Sequence, residues 1–270
     1  MFRTRLLSGI ILLAIAITVV VLGGDILFAT LFIISLIGMM ELYRIVKMQK
    51  KFPAILGYAA GITFYLLLYF ELQQYQMMLF IFFLMLLMFA YVFGFPKFLT
   101  EQIAISFFGL FYVSIMLSYI YQVRMLEDGI LLVWLIFIGA WGSDTCAYCV
   151  GMLIGKHKVA PKLSPKKTIE GCIGGVVGAS LIGFIFATVF QDKIHGIDNP
   201  QFVFAIIGAV SSIISQIGDL AASAIKRNHN IKDYGTLIPG HGGILDRFDS
   251  IIFTAPIVYY LAVFLYGNMY

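Results

Sequence analysis

Long apolar runs separated by short polar connections make up nearly the whole chain. A bilayer core takes about 20 apolar residues per helix. Nine stretches suit it: Leu6–Leu22, Ile26–Ile45, Pro53–Phe70, Met77–Phe93, Ile103–Gln122, Ile130–Cys149, Gly171–Gln191, Phe202–Ala224 and Ser250–Tyr266. The pattern predicts an all-α polytopic membrane protein of about nine transmembrane helices. Only Gly23, Gly24 and Asp25 separate the first two. The N-terminal run has the basic start of a signal peptide but is long for one and is followed by no small-x-small site, so an uncleaved first helix is expected.

Cationic residues alternate between connections. One set holds Arg3 and Arg5; Arg44, Lys47, Lys50 and Lys51; Lys97; Lys156, Lys158, Lys162, Lys166 and Lys167; and Lys226, Arg227, Lys232 and Arg247. The other holds only Arg124 and Lys193. Because Lys and Arg favour the cytoplasmic side, this places the N-terminus and both large polar loops in the cytosol, in a multi-pass protein of the cell (inner) membrane.

Composition agrees with this reading. Hydrophobic residues make up 61% and charged residues 12%, with a mean hydropathy of +0.97, against about 25% charged in soluble domains. No polar stretch is long enough for a separate soluble domain, so residues 1–270 are expected to form a single membrane domain. Helices without motifs fill 1–125, and catalytic helices and loops fill 126–270. The net charge of +4 carries no nucleic-acid signature. Cys146, Cys149 and Cys172 lie in apolar segments without further metal ligands nearby and read as small packing residues. Gly171, Gly174, Gly175, Gly178 and Gly183 open the seventh span at a spacing that lets membrane helices approach closely.

Against this background one island stands out. Residues 223–249 read SAIKRNHNIKDYGTLIPGHGGILDRFD and hold seven of the 32 charged residues. Polar groups beside a bilayer are costly, and their concentration points to a working site. Cations, metal-competent carboxylates and flexible glycines together suit phosphates. Asp144 and Asp219 lie late in inward-running spans, and Asp246 and Asp249 lie where the ninth begins, at a spacing that shares one helix face. These carboxylates are expected at one depth, where Mg²⁺ with substrate phosphates would balance them. The alternative for a single Asp is pairing with Lys or Arg at a helix end.

The other cytosolic loop supplies Lys166, Lys167, Thr168 and Glu170. Thr168 suits the N-cap of the seventh helix, with Glu170 in its first turn, and Lys166 and Lys167 ahead of the helix start suit either an anion cradle or contact with anionic headgroups. Lys156 and Lys158 read as contacts to anionic headgroups. His241, between Gly240 and Gly242, suits phosphate contact or proton transfer. Walker, nucleophile-elbow and zincin motifs are absent. An ion-coupled transporter would account for Asp144 and Asp219 but not for the basic, glycine-rich loop.

Ser223-x-Ile225-Lys226-Arg227, Lys232-Asp233-x-Gly235 and Pro239-Gly240-His241-Gly242-Gly243-Ile244-x-Asp246-Arg247-Phe248-Asp249 together resemble the signature of phosphatidate cytidylyltransferases. Lys162-Leu163-Ser164-Pro165-Lys166-Lys167-Thr168-x-Glu170-Gly171 and Asp144-x-x-Ala147-Tyr148 resemble that family too. The resemblance implies a dimeric enzyme that makes CDP-diacylglycerol and pyrophosphate from CTP and phosphatidic acid among membrane lipids. It also implies Mg²⁺, with a second cation such as K⁺. By motif position, Asp219, Asp246 and Asp144 would bind metal. Lys226, Arg227, His241, Arg247 and Asp249 would be catalytic, and Ser223, Lys166, Lys167, Thr168, Lys232, Gly242 and Gly243 would bind substrate. A cytidylyltransferase or kinase acting on another lipid phosphate is the alternative.

Overall fold

The computed structural model describes residues 2–195 and 197–265, with side chains from residue 8 onward in the first helix. The side chains of Arg3 and Arg5, and the expected end of the last span at Tyr266, lie outside the described residues. Nine helices run through the described part: α1 Phe2–Leu22, α2 Gly24–Ile45, α3 Phe52–Tyr69, α4 Gln73–Phe93, α5 Thr100–Arg124, α6 Gly129–Ile154, α7 Ile169–Val189, α8 Pro200–Asn228 and α9 Leu245–Leu265. The eight from α2 to α9 are long and apolar enough to cross a membrane. The nine-helix reading thus holds, and the break after α1 falls at Gly23. Its φ of +63° suits glycine, and Arg124 caps α1 by donating from Nε to the Val20 carbonyl at 3.2 Å.

The chain forms two compact units, neither continuous in sequence. The first holds residues up to Val19, Gly24–Ser118 and Asp233–Arg247; the second holds Val20–Gly23, Tyr119–Lys232 and the residues from Phe248 onward. The glycine-rich part of the island, 233–247, therefore belongs with the motif-free N-terminal helices.

The first unit buries polar groups in pairs, as a bilayer-embedded core requires. Ser35 Oγ meets Tyr65 Oη at 2.7 Å, and Tyr43 Oη donates to the Ser106 carbonyl at 2.9 Å. In the second unit, α7 packs on α6 and α8 through its small residues. A side chain at Gly174 or Gly178 would strike Val150 or Cys146 of α6, and one at Gly183 would strike the Phe204 carbonyl of α8. The close-approach reading of the α7 glycines is thereby accounted for. Beside this seam Ser143 and Ser212 share a hydrogen bond of 2.6 Å, and Gln216 donates to the Cys172 carbonyl at 3.1 Å.

One feature was not foreseen. The lysine-rich connection after α6 is a β-hairpin, β1 Lys158–Ala160 paired antiparallel with β2 Ser164–Thr168, in the register Lys158↔Thr168 and Ala160↔Ser164.

Candidate active site

In the second unit, three elements bring charged groups together. A π-helical turn at Ile138–Gly142 widens α6 just before Ser143 and Asp144, a local distortion frequent at functional sites. Strand β2 leads directly into α7, whose N-cap is Thr168: its Oγ1 accepts the Gly171 N–H at 3.2 Å. Alternation along the strand turns Lys166 outward and Lys167 inward. Lys167 forms an ion pair with Asp219 of α8, the side chains being 22% and 27% exposed, and the charges of both act on Asp144. The two lysines, alike in sequence, are thus set apart by the hairpin. The hairpin is closed by Glu170, which meets His157 Nδ1 at 2.6 Å and accepts the Lys156 N–H at 3.0 Å.

Along α8, Asp219, Ser223 and Lys226 fall at intervals of four and three residues and so share one helix face. Lys226 and Arg227 also lie in the last turn, where cations stabilise the helix C-terminus. Lys232 is exposed in the following loop. Asp249, in the second turn of α9, accepts the Ser250 N–H at 2.9 Å.

In the first unit, the chain from Tyr234 to Asp246 is folded around two carboxylates. Ile238 and Gly242 close a tight turn, with Ile238 N–H donating to the Gly242 carbonyl at 2.8 Å and His241 N–H to the Ile238 carbonyl at 2.9 Å. Gly240 and Gly242 take φ values of +79° and +86°, which other residues adopt with strain. His241 Nδ1 lies 2.9 Å from Ser8 Oγ of α1. Asp246, 5% exposed, accepts backbone N–H bonds at Oδ2 from Tyr234 at 2.8 Å and Gly243 at 2.9 Å. Arg247 is exposed.

The second carboxylate is Glu41 of α2, 2% exposed, which sequence reasoning missed. Its Oε1 accepts the Ile244 N–H at 3.0 Å and its Oε2 the Leu245 N–H at 2.9 Å. A side chain at Gly235 or Gly243 would collide with this carboxylate. The available signal was an acid in the interior of an apolar helix, in GMMELYR.

The predicted residues therefore fall in two places. Asp144, Lys166, Lys167, Thr168, Asp219, Ser223, Lys226, Arg227, Lys232 and Asp249 belong to the second unit, and His241, Gly242, Gly243, Asp246 and Arg247 to the first. Among the described residues no group of three or more His, Cys, Asp or Glu is placed to hold a metal. The three cysteines are free.

The fold is that of a polytopic all-α membrane protein, and the profile of the cytidylyltransferase family matches residues 3–265. The chain belongs to this family and is an enzyme of the nucleotidyltransferase class. A Bacillus subtilis (strain 168) protein named phosphatidate cytidylyltransferase is 32% identical over 268 residues, covering 96% of this chain and 97% of the relative. A protein of the same name from Staphylococcus saprophyticus is 32% identical over 266 residues, covering 97% and 99%. One from Synechocystis sp. (strain PCC 6803) is 32% identical over 289 residues, covering 97% and 96%.

Proposed function

We propose that this enzyme transfers CMP from CTP to phosphatidic acid, releasing CDP-diacylglycerol and pyrophosphate. The observation that carries this is the near-full-length match to the relatives named above, joined to a buried Asp246 fixed within the signature loop. A phosphate oxygen of the lipid forms a bond to the α-phosphorus of CTP as the bond from that phosphorus to the bridging β-phosphate oxygen breaks. The nucleophile is already anionic, so no strong general base is needed. Catalysis then rests on positioning and on offsetting charge among crowded phosphates.

The residues supply both. The ammonium groups of Lys167 and Lys226 and the guanidinium groups of Arg227 and Arg247 are counter-charges to phosphate oxygens. His241 in its glycine turn, and the hydroxyl of Ser223, are further phosphate donors. Lys166 and Lys232, both exposed, are outer contacts for the triphosphate.

The carboxylates fit Mg²⁺ in donor chemistry. Their hard oxygens suit it, and Asp219 already takes a cation, the Lys167 ammonium. Asp219 with Asp144 beside it would hold metal in the second unit, and Asp246 would hold metal in the first. Fewer than three acidic or imidazole donors group together among the described residues, so water and substrate phosphate would complete its coordination. Mg²⁺ bound there would offset negative charge on the transferring phosphate.

The test is pyrophosphate release by the purified protein in detergent with CTP, phosphatidic acid and Mg²⁺, omitting each in turn. Release is expected only with all three present, with CDP-diacylglycerol accumulating in step. Release with another lipid phosphate in place of phosphatidic acid would redirect the substrate assignment, and none with any lipid would remove the reading.

The cytosolic placement of both loops has its own test. Lys193 sits in the turn after α7, its ammonium 5.9 Å from the Phe190 ring centre, on the side that carries few cations. Lys193→Ala is expected to leave the KM for CTP within about twofold of wild type, as surface changes away from a site do. A large rise in that KM would overturn the sidedness.

A further inference from the structure

We propose that Glu41 is a positioning residue for the signature loop, acting through the first turn of α9 to fix Asp246; its catalytic consequence rests on the function proposed above.

A helix start leaves its first N–H groups without intrahelical partners. At the first residue of α9 and the two residues before it, the N–H groups are taken by two carboxylates from opposite ends of the chain. Glu41 receives Ile244 and Leu245, one N–H on each oxygen. Asp246 receives Gly243, the preceding N–H, together with Tyr234. Three consecutive backbone donors, 243 to 245, are thus divided between a residue on α2 and the first turn of α9 itself. The orientation of the turn that carries Asp246 is fixed from outside, by α2.

The fit is specific to an acid at this position. The Glu41 carboxylate lies at the N-terminus of α9, where the backbone dipole favours negative charge, and Gly235 and Gly243 leave no Cβ in the space it fills. A residue retained for packing alone would need neither the charge nor the glycines. Glu41 itself is buried and bonded by both oxygens, which gives it no part in touching substrate. Its effect reaches the reaction through Asp246.

Glu41→Gln keeps the shape but turns an NH2 toward one of the two N–H groups. Glu41→Leu keeps apolar volume and removes both acceptors. The first measurement is hydrogen–deuterium exchange of the detergent-solubilised protein without metal or nucleotide. The Gly243, Ile244 and Leu245 amides are expected to exchange about 10-fold faster in Glu41→Gln and faster still in Glu41→Leu, with α3 and α4 unchanged. The second is steady-state kinetics. The kcat of Glu41→Gln is expected to fall about 10- to 100-fold, the scale of a misplaced catalytic group, with the KM for CTP little changed. The Mg²⁺ concentration giving half-maximal rate is expected to rise.

Unchanged exchange at residues 243–245 would overturn the proposal whatever the activity, and so would faster exchange with wild-type kcat. A Glu41→Leu variant matching wild type in both would reduce Glu41 to packing. If wild-type protein shows no CTP turnover, the functional reading fails instead, and exchange alone decides whether Glu41 holds the turn.

Discussion

Asp246→Asn is expected to lower kcat by about 10³-fold or more, on the scale of removing a preorganised charge from a phosphoryl-transfer site. The substitution keeps an acceptor for both backbone bonds of this side chain. Oδ2 of Asp246 is the atom that accepts the Tyr234 and Gly243 N–H groups, and an asparagine carbonyl oxygen in the same place accepts both. The loop keeps its shape while the charge disappears. The variant is therefore expected to insert, purify and show wild-type exchange at Gly243. Turnover near wild type would remove Asp246 from the metal assignment and leave it a purely architectural acceptor.

The second large effect separates two readings of the Lys167–Asp219 pair. For an ion pair only about a quarter exposed, with the Lys167 ammonium nitrogen itself buried, removing one partner alone costs about 3–5 kcal/mol in stability. If pairing were the whole role, Lys167→Met and Asp219→Asn would each lower stability while the folded protein kept its kcat, and the double variant would recover much of that stability. If both groups act on phosphate and metal, each single variant loses about 10²-fold or more in kcat in the protein that remains folded. The double variant then stays inactive at any Mg²⁺ concentration. A cycle of kcat values over the four proteins decides between them. Near-wild-type turnover in the double variant would assign the pair to structure alone.

Much of this was legible in the sequence, for physical reasons. Transmembrane length is set by the bilayer, so the nine apolar runs appear as α1 to α9 with ends shifted by a few residues. Thr168 as the α7 cap and the close packing at Gly174 and Gly178 follow from local rules and hold. What escaped depends on partners far along the chain. The ninth span was expected from Ser250, yet α9 begins at Leu245, where a Glu41 carboxylate 204 residues away receives the Leu245 N–H. The β-hairpin escaped because Pro161, Pro165 and a run of lysines read as loop. Without the strand, nothing distinguishes Lys166 from Lys167.

The Glu41 contact also dictates an order of events during synthesis. Glu41 enters the growing chain 203 residues before the Ile244 N–H that it will accept. At translation rates of about 5–20 residues per second, that gap is roughly 10–40 s. For that interval the acid belongs to a helix already made, with the backbone donors it will bind not yet in existence, and a carboxyl buried without hydrogen-bond donors is unfavourable. The N-terminal helices alone, expressed as residues 1–118, would therefore carry Glu41 permanently without those donors. Supplying residues 233–247 as a separate peptide would give the fragment the means to complete itself.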